Sequence, residues 1–173
     1  MATLRRLRIG DHIVAEFSEL SLRYRLEMAI YRWRRVEPLA WAPLPVPLDE
    51  ARIGLVTSAG LYRPGTDEPF REIRGGDYSF RSIPDDAGLS ALAVGQTSGA
   101  FDRGPMESDR NVALPMERLR TLVARGEIGS SAPRHLSFNG SIPAPGRLVR
   151  ESAPEAAKIF LDDGVQAALL IPV

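Results

Sequence analysis

The side chains able to do chemistry are few and scattered along the chain. Asp102, Glu107 and Asp109 crowd one stretch. Brought together they could serve as acid and base, although such a group is more often a solvated loop. Asp109-Arg110-Asn111 stands just before an apolar-periodic segment that begins at Pro115. Either the carboxylate or the amide could cap backbone N–H groups there, or face a ligand. His12 and His135 are isolated; His12 reads as a surface residue, His135 as a strand residue with a hydrogen-bond partner. No second histidine stands at a metal-ligand spacing, so no metal site is expected. The chain has no cysteine, hence no thiolate nucleophile, disulfide or Cys-ligated metal within these residues. No Gly-x-Gly-x-x-Gly follows the first apolar run, and Lys158 lies in no glycine-rich loop, so nucleotide binding finds no support. Asn139-Gly140-Ser141 matches a glycosylation acceptor in form only. After a strand, Asn139-Gly140 is better explained as a tight turn needing positive φ.

These residues must be positioned by a chain of 173 residues, 44% hydrophobic and 25% charged, enough for one domain with a real core. Twenty-two basic residues balance twenty-two acidic ones, so no net field favours nucleic acid or an anionic membrane. The start lacks an apolar signal core and no apolar run is long enough to span a bilayer, so the cytoplasm is the expected location. The reading is of two parts: a helix and proline-rich arm over residues 1–48, and an α/β domain over residues 49–173. Ser18–Val36 has the spacing of an amphipathic helix, with Leu22, Leu26, Ala29, Ile30 and Trp33 on one face. Its Arg-rich side reads as a solvated face, or as a partner-docking or nucleic-acid arm, although no aromatic-interleaved basic groove supports the latter. Four prolines between Pro38 and Pro47 predict an extended tether.

From residue 51 onward, strand and helix patterns alternate, which predicts an α/β fold: a mostly parallel open sheet with flanking helices. Strands are expected at Ala51–Ser58, Tyr78–Ile83, Leu89–Val94 and Arg134–Phe138. A helix is expected from Pro115 to Arg125, closed by Gly126. Ser152-Ala-Pro-Glu155 has the form of a capping box opening a second helix. The final run, Gln166–Val173, follows the helix-stopping Asp162-Asp163-Gly164 and reads as a strand buried on both faces of the sheet. Ligands bind just beyond the carboxyl ends of such strands. Thr57, Ser58 and Gly60 should therefore share one edge of the sheet with Val173, with Asp109 and Asn111 nearby.

Several segments taken together resemble the B-type subunit of the glycine, sarcosine, betaine and D-proline reductases, in a short stand-alone form. They are Leu48–Gly60, Asp77–Pro84, Asp109–Leu119, Gly126–Gly129, Pro133–Gly140, Ser152–Ala157 and Asp163–Pro172. The resemblance implies a selenol- or thiol-dependent reductase that cleaves a carbon–nitrogen bond in a small amino-acid-like substrate. It implies a selenocysteine or cysteine immediately after the strand ending at Val173, regenerated by a dithiol reductant. Some members work beside a partner subunit. No other cofactor, metal, nucleic acid or membrane is expected. Selenocysteine is encoded by a codon otherwise read as a stop, so the natural product is expected to continue past Val173. The 173-residue form is expected to be inert. By the same resemblance, Thr57, Ser58, Gly60, Arg81, Asp102, Asp109, Asn111, Phe138 and Gly140 line the cleft, with Arg81 gripping a substrate carboxylate. The stretch Gln96–Asp109 lacks the histidines that many members carry there. A non-catalytic binding or regulatory protein that keeps the family fold is the alternative.

Overall fold

The computed structural model describes residues 8–9, 12–13, 22, 25–26, 29, 37–38, 42–96, 104–140 and 142–173. The chain divides into two compact units, Met1–Ala42 and Pro43–Val173. In the first, Arg8–Ile9 pairs antiparallel with His12–Ile13. Most of the helix expected at Ser18–Val36 lies outside the described residues, as do Asp102 and the side chains of His12 and Glu107. Among the described residues, no helix is long and apolar enough to cross a membrane.

The second unit is a mixed, mostly parallel sheet with a helix on each face. Its strands are β1 (Arg52–Thr57), β2 (Leu61–Tyr62), β3 (Phe80–Pro84), β4 (Ala93–Val94), β5 (Ser130–Ser131), β6 (Arg134–Phe138) and β7 (Ala167–Ile171). Its helices are α1 (Gly104–Ser108), α2 (Met116–Ala124) and α3 (Ala153–Asp162). β1 is central. On one side it pairs parallel with β7 along its length, from Ile53 opposite Ala167 to Thr57 opposite Ile171. On the other side it meets β5 and then β6, also parallel. β3 closes that side, antiparallel to β6. The parallel arrangement expected for Ile53–Ser58, Leu136–Phe138 and Ala167–Ile171 is thus the one observed.

Side chains alternate across β1 and serve two cores. Ile53 and Leu55 join Leu61, Ile83, Leu114, Met116 and Leu119 in a buried cluster under α2. Val56 and Leu136 face the other way, against Ala156 and Phe160 of α3. Gly54 is what lets α3 approach: a Cβ there would stand 2.7 Å from the Phe160 ring.

Four expectations are corrected. β7 is not buried on both faces: its one neighbour among the described residues is β1, and Leu169 and Leu170 are 51% and 68% exposed. Leu89–Val94 is no sheet strand. Leu89–Ala91 is a 3₁₀ turn burying Leu89, and only Ala93–Val94 pairs, with Leu61–Tyr62. Ser152 forms no capping box. A π-helical turn, Leu148–Ser152, runs straight into α3, so Ser152 has helical dihedrals. Its hydroxyl instead donates to Tyr78 O at 2.5 Å. Gly140 does not have positive φ; its reason for being glycine is close approach, described below.

The Gly54–Phe160 contact generates a prediction. Gly54→Ala should destabilise the fold by about 1–3 kcal/mol, the usual cost of overpacking. Adding Phe160→Leu should recover part of that loss, a coupling readable from urea midpoints of the four variants. Additive losses would mean that the ring yields freely.

Candidate site at the carboxyl edge of the sheet

Where β1 and β7 end, Ser58 collects hydrogen bonds from three segments. Its N–H donates to Ile171 O at 3.1 Å, continuing the β1–β7 ladder. Pro172 has no N–H to extend that ladder. A side chain takes over: the Ser58 hydroxyl accepts from Val173 N–H at 2.9 Å and lies 3.4 Å from Val173 O. Ser58 O in turn accepts from Gly140 N–H at 2.8 Å and from the Gln96 side-chain amide at 3.0 Å. Gly60 N–H donates to Phe138 O at 2.8 Å, and Gly60 O accepts from Gly95 N–H at 2.8 Å. The expected juxtaposition of Gly60 with Val173 on one edge is therefore present.

Both glycines are required by this crowding. Gly60 has φ +66°, a region few other residues adopt, and a Cβ would meet Gln96 N at 2.9 Å. At Gly140 a Cβ would stand 3.0 Å from both Gln96 Nε2 and Ser58 O. Thr57, Ser58, Gly60 and Gly140 are thus drawn together at one place. Asn139 and Gln96, both buried, belong to it as well.

The other residues expected at the site occupy different positions. The Arg81 guanidinium donates to Glu68 O, Pro69 O, Phe80 O and the Ser79 hydroxyl, and stacks 4.3 Å from the Phe70 ring. Two of these bonds brace the 68–69 carbonyls and two stay within Ser79–Phe80, so the fork expected to grip a carboxylate is already occupied. Ser79 also donates, through N–H and hydroxyl, to Asp77, which accepts from Arg71 N–H too. Burial pushes the Asp77 carboxyl up, but these bonds and the Arg81 charge outweigh it and hold the pKa below its ordinary value. Asp109 and Asn111 cap the approach to α2. Asp109 accepts from Asn111 N–H at 2.9 Å, Asn111 Oδ1 from Glu117 N–H at 3.2 Å, and Arg118 adds an ion pair to Asp109. Bonds from Asn111 and then Arg118 keep the exposed Asp109 carboxyl below its usual range. The hydrogen bonds of this pair run to α2 rather than to the strand ends. Phe138 packs at 5.2 Å against Phe80 on the α3 face.

His135 is fully buried and joins three strands. The register between β1 and the 130–138 run shifts by two residues, from Ile53 opposite Ser131 to Val56 opposite Leu136. The bulge contains Pro133, and opposite it Leu55 N–H finds no carbonyl. Instead it donates to His135 Nδ1 at 3.2 Å. That fixes the proton on Nε2, which donates to Asp85 Oδ1 at 2.9 Å. Ser131 also donates to Asp85, at 2.8 Å. Serine, histidine and aspartate meet here by type, but no base is available: one imidazole nitrogen is taken by the main chain and the other carries the proton. The group is a structural splint, in keeping with the partnered strand histidine expected from the sequence.

Burial first, with help from the Arg120 charge, lowers the His135 pKa against the raising effect of Asp85. Unfolding therefore takes up a proton once the pH falls below the free value of 6.5. Stability is full above that pH and declines below it, until the folded-state imidazole itself titrates. Urea midpoints should fall between pH 7 and pH 5, with a slope of up to about 1.4 kcal/mol per pH unit. His135→Gln should flatten the slope. Asp77, shifted down from 3.8, acts only in a more acid window. A wild-type midpoint flat down to pH 5 would contradict the buried neutral imidazole.

Comparison with known proteins places this chain in a family. The family described as glycine/sarcosine/betaine reductase selenoprotein B matches residues 13–172. The D-proline reductase subunit gamma of Acetoanaerobium sticklandii is 34% identical over 133 residues, covering 77% of this chain and 53% of the relative. The chain thus spans about half the length of the curated relative it matches. No solved structure gives a significant match. On the strength of a match along nearly its whole length, the chain belongs to the glycine/sarcosine/betaine reductase selenoprotein B family.

Proposed function

We propose that this chain is the part of a reductase that leads directly into its nucleophile, in an enzyme that cleaves a carbon–nitrogen bond in a small amino-acid-like substrate. The reactive selenocysteine or cysteine directly follows Val173. The observation that carries the reading is the grip of Ser58 on Val173: after Pro172 breaks the ladder, a side-chain hydroxyl holds the main chain at the strand ends. A residue placed next would leave from a fixed point beside Ser58, Gly60 and Gly140, where open α/β sheets take their ligands. Thr57, Ser58, Gly60 and Gly140 frame that point. Asp102 lies in the segment between Gln96 and α1. Arg81, Asp109 and Asn111 hold the surrounding loops in place, and Phe138 supports the sheet beneath.

In the reaction, the selenolate or thiolate attacks the carbon bearing nitrogen, a bond from carbon to selenium or sulfur forms, and the amine leaves with a proton. A dithiol returns the two electrons: one thiolate takes the selenium, the carbon leaves with a proton, and the second thiol closes the disulfide. The relative is named as a subunit, which supports assembly with a partner subunit. Its name also makes D-proline the first substrate to test.

Alkylation of the natural gene product with iodoacetamide, followed by mass spectrometry, should find a modified selenocysteine or cysteine directly after Val173. With dithiothreitol and any partner subunit present, D-proline should open to the linear amino acid. Ser58→Ala should lower kcat at least tenfold with KM nearly unchanged, and Ser58→Thr, which keeps the hydroxyl, should restore most of it. A natural product with no selenocysteine or cysteine at that position would end this reading.

A further inference from the structure

We propose that the hydroxyls of Thr57 and Ser137 form a binding site for a carboxylate oxygen of the substrate, beneath the carboxyl edge of the sheet. The inference rests on the reductase reading above and assigns the part of the substrate it leaves open. Thr57 stands opposite Ser137 across the parallel β1–β6 pair, and Ser137 opposite Arg81 across the antiparallel β6–β3 pair. Directly opposed residues share a face, so Thr57, Ser137 and Arg81 form one row near the carboxyl edge of the sheet.

Ser137 is 0% exposed and its hydroxyl has no hydrogen-bond partner. It is the one hydroxyl so placed among the described residues. An unpaired buried hydroxyl destabilises a fold, and alanine would serve better, unless something else meets the group. Thr57, 1% exposed, uses its oxygen to accept from Ala59 N–H at 3.1 Å. No described acceptor takes its proton. Neighbouring strands lie roughly 4.8 Å apart. The two hydroxyls do not bond each other, yet both can reach one oxygen between them.

Both hydroxyls keep a proton to donate, which suits an oxygen acceptor. That matches what the family's substrates have in common. Glycine, sarcosine, betaine and proline differ at nitrogen, from primary amine to quaternary ammonium to ring, and share a carboxylate. Arg81, in the same row, adds a favourable charge although its N–H groups are largely engaged. Gln96 donates to Ser58 O, the carbonyl next in the chain to Thr57, and lies against Gly60 and Gly140.

The test is ligand-induced thermal stabilisation of the natural full-length protein by D-proline, glycine, sarcosine and betaine. Pyrrolidine, methylamine, dimethylamine and tetramethylammonium, which lack the carboxylate, are the controls. At least one carboxylate compound should stabilise the wild type, and its control should not. Ser137→Ala should be as stable as wild type or more so without ligand, yet bind at least tenfold more weakly. Thr57→Val should also weaken binding, and Thr57→Ser should not. If Ser137→Ala binds as tightly as wild type, the hydroxyl serves a buried water, and the inference falls while the reductase reading stands. If the wild type binds none of the four, the inference falls together with the substrate class. The alkylation experiment above still decides the nucleophile separately.

Discussion

The structure depends on one constraint: the central strand, Arg52–Thr57, is paired on both edges and covered on both faces, so every backbone group on it needs a partner inside the protein. A buried N–H left unpaired is among the more costly defects a fold can carry, about 1–3 kcal/mol. Proline at position 133 and the two-residue shift of register break the neighbouring ladder just where Leu55 must donate. An imidazole fills the gap. Asp85 and Ser131 then hold the imidazole, and the carbonyl of Pro133 accepts from Asp85 N–H, so the bulge is pinned from both sides. What resembles catalytic chemistry by residue type is the means by which a sheet tolerates an irregular neighbour.

The same economy explains the carboxyl edge. Three loops meet there with almost no side-chain volume between them, and the two glycines and the polar groups of Ser58 make that approach possible. Rigid elements position the loops, and the loops position the end of β7. This division of labour is usual where a sheet supports a site: the strands carry stability, and the residues just past them carry geometry.

Much of this was legible in the sequence because it follows from local periodicity. The apolar runs at Ile53–Thr57 and Ala167–Ile171, and the helix from Met116, are strong patterns, and the alternation of strand and helix implies parallel pairing. What was not legible depends on contacts distant in the chain. The Ser-x-x-Glu form at Ser152 promised a cap, but the π-turn before it continues the helix and Tyr78 O takes the hydroxyl. The resemblance and the shape of its fork point Arg81 to a substrate carboxylate, and only the fold brings carbonyls 68 and 69 to that fork. Ser137 was overlooked although a signal existed. His135, Ser137 and Asn139 alternate with Leu136 and Phe138, so a strand with neighbours on both sides must bury one polar face. Apolar composition alone made Gln166–Val173 look buried. Burial is decided by what lies alongside, and at Leu169 and Leu170 only β1 does, on one edge.

The pairing partners of the central strand also have a temporal consequence. Val56 pairs with Leu136, and Ser58 bonds Val173 across a separation of 115 residues. Closing loops of that length precedes any gain from the contacts, so folding of such topologies is slow, on the millisecond-to-second scale of high contact order. Until β7 arrives, one edge of β1 has no strand beside it. The buried residues of the α2 half of the core are closer in sequence, from Ala51 to Leu119, and β7 adds only the partly buried Ala167 and Ile171 at its margin. The two faces of one sheet therefore differ in the order in which they can be completed, with the carboxyl edge assembled last.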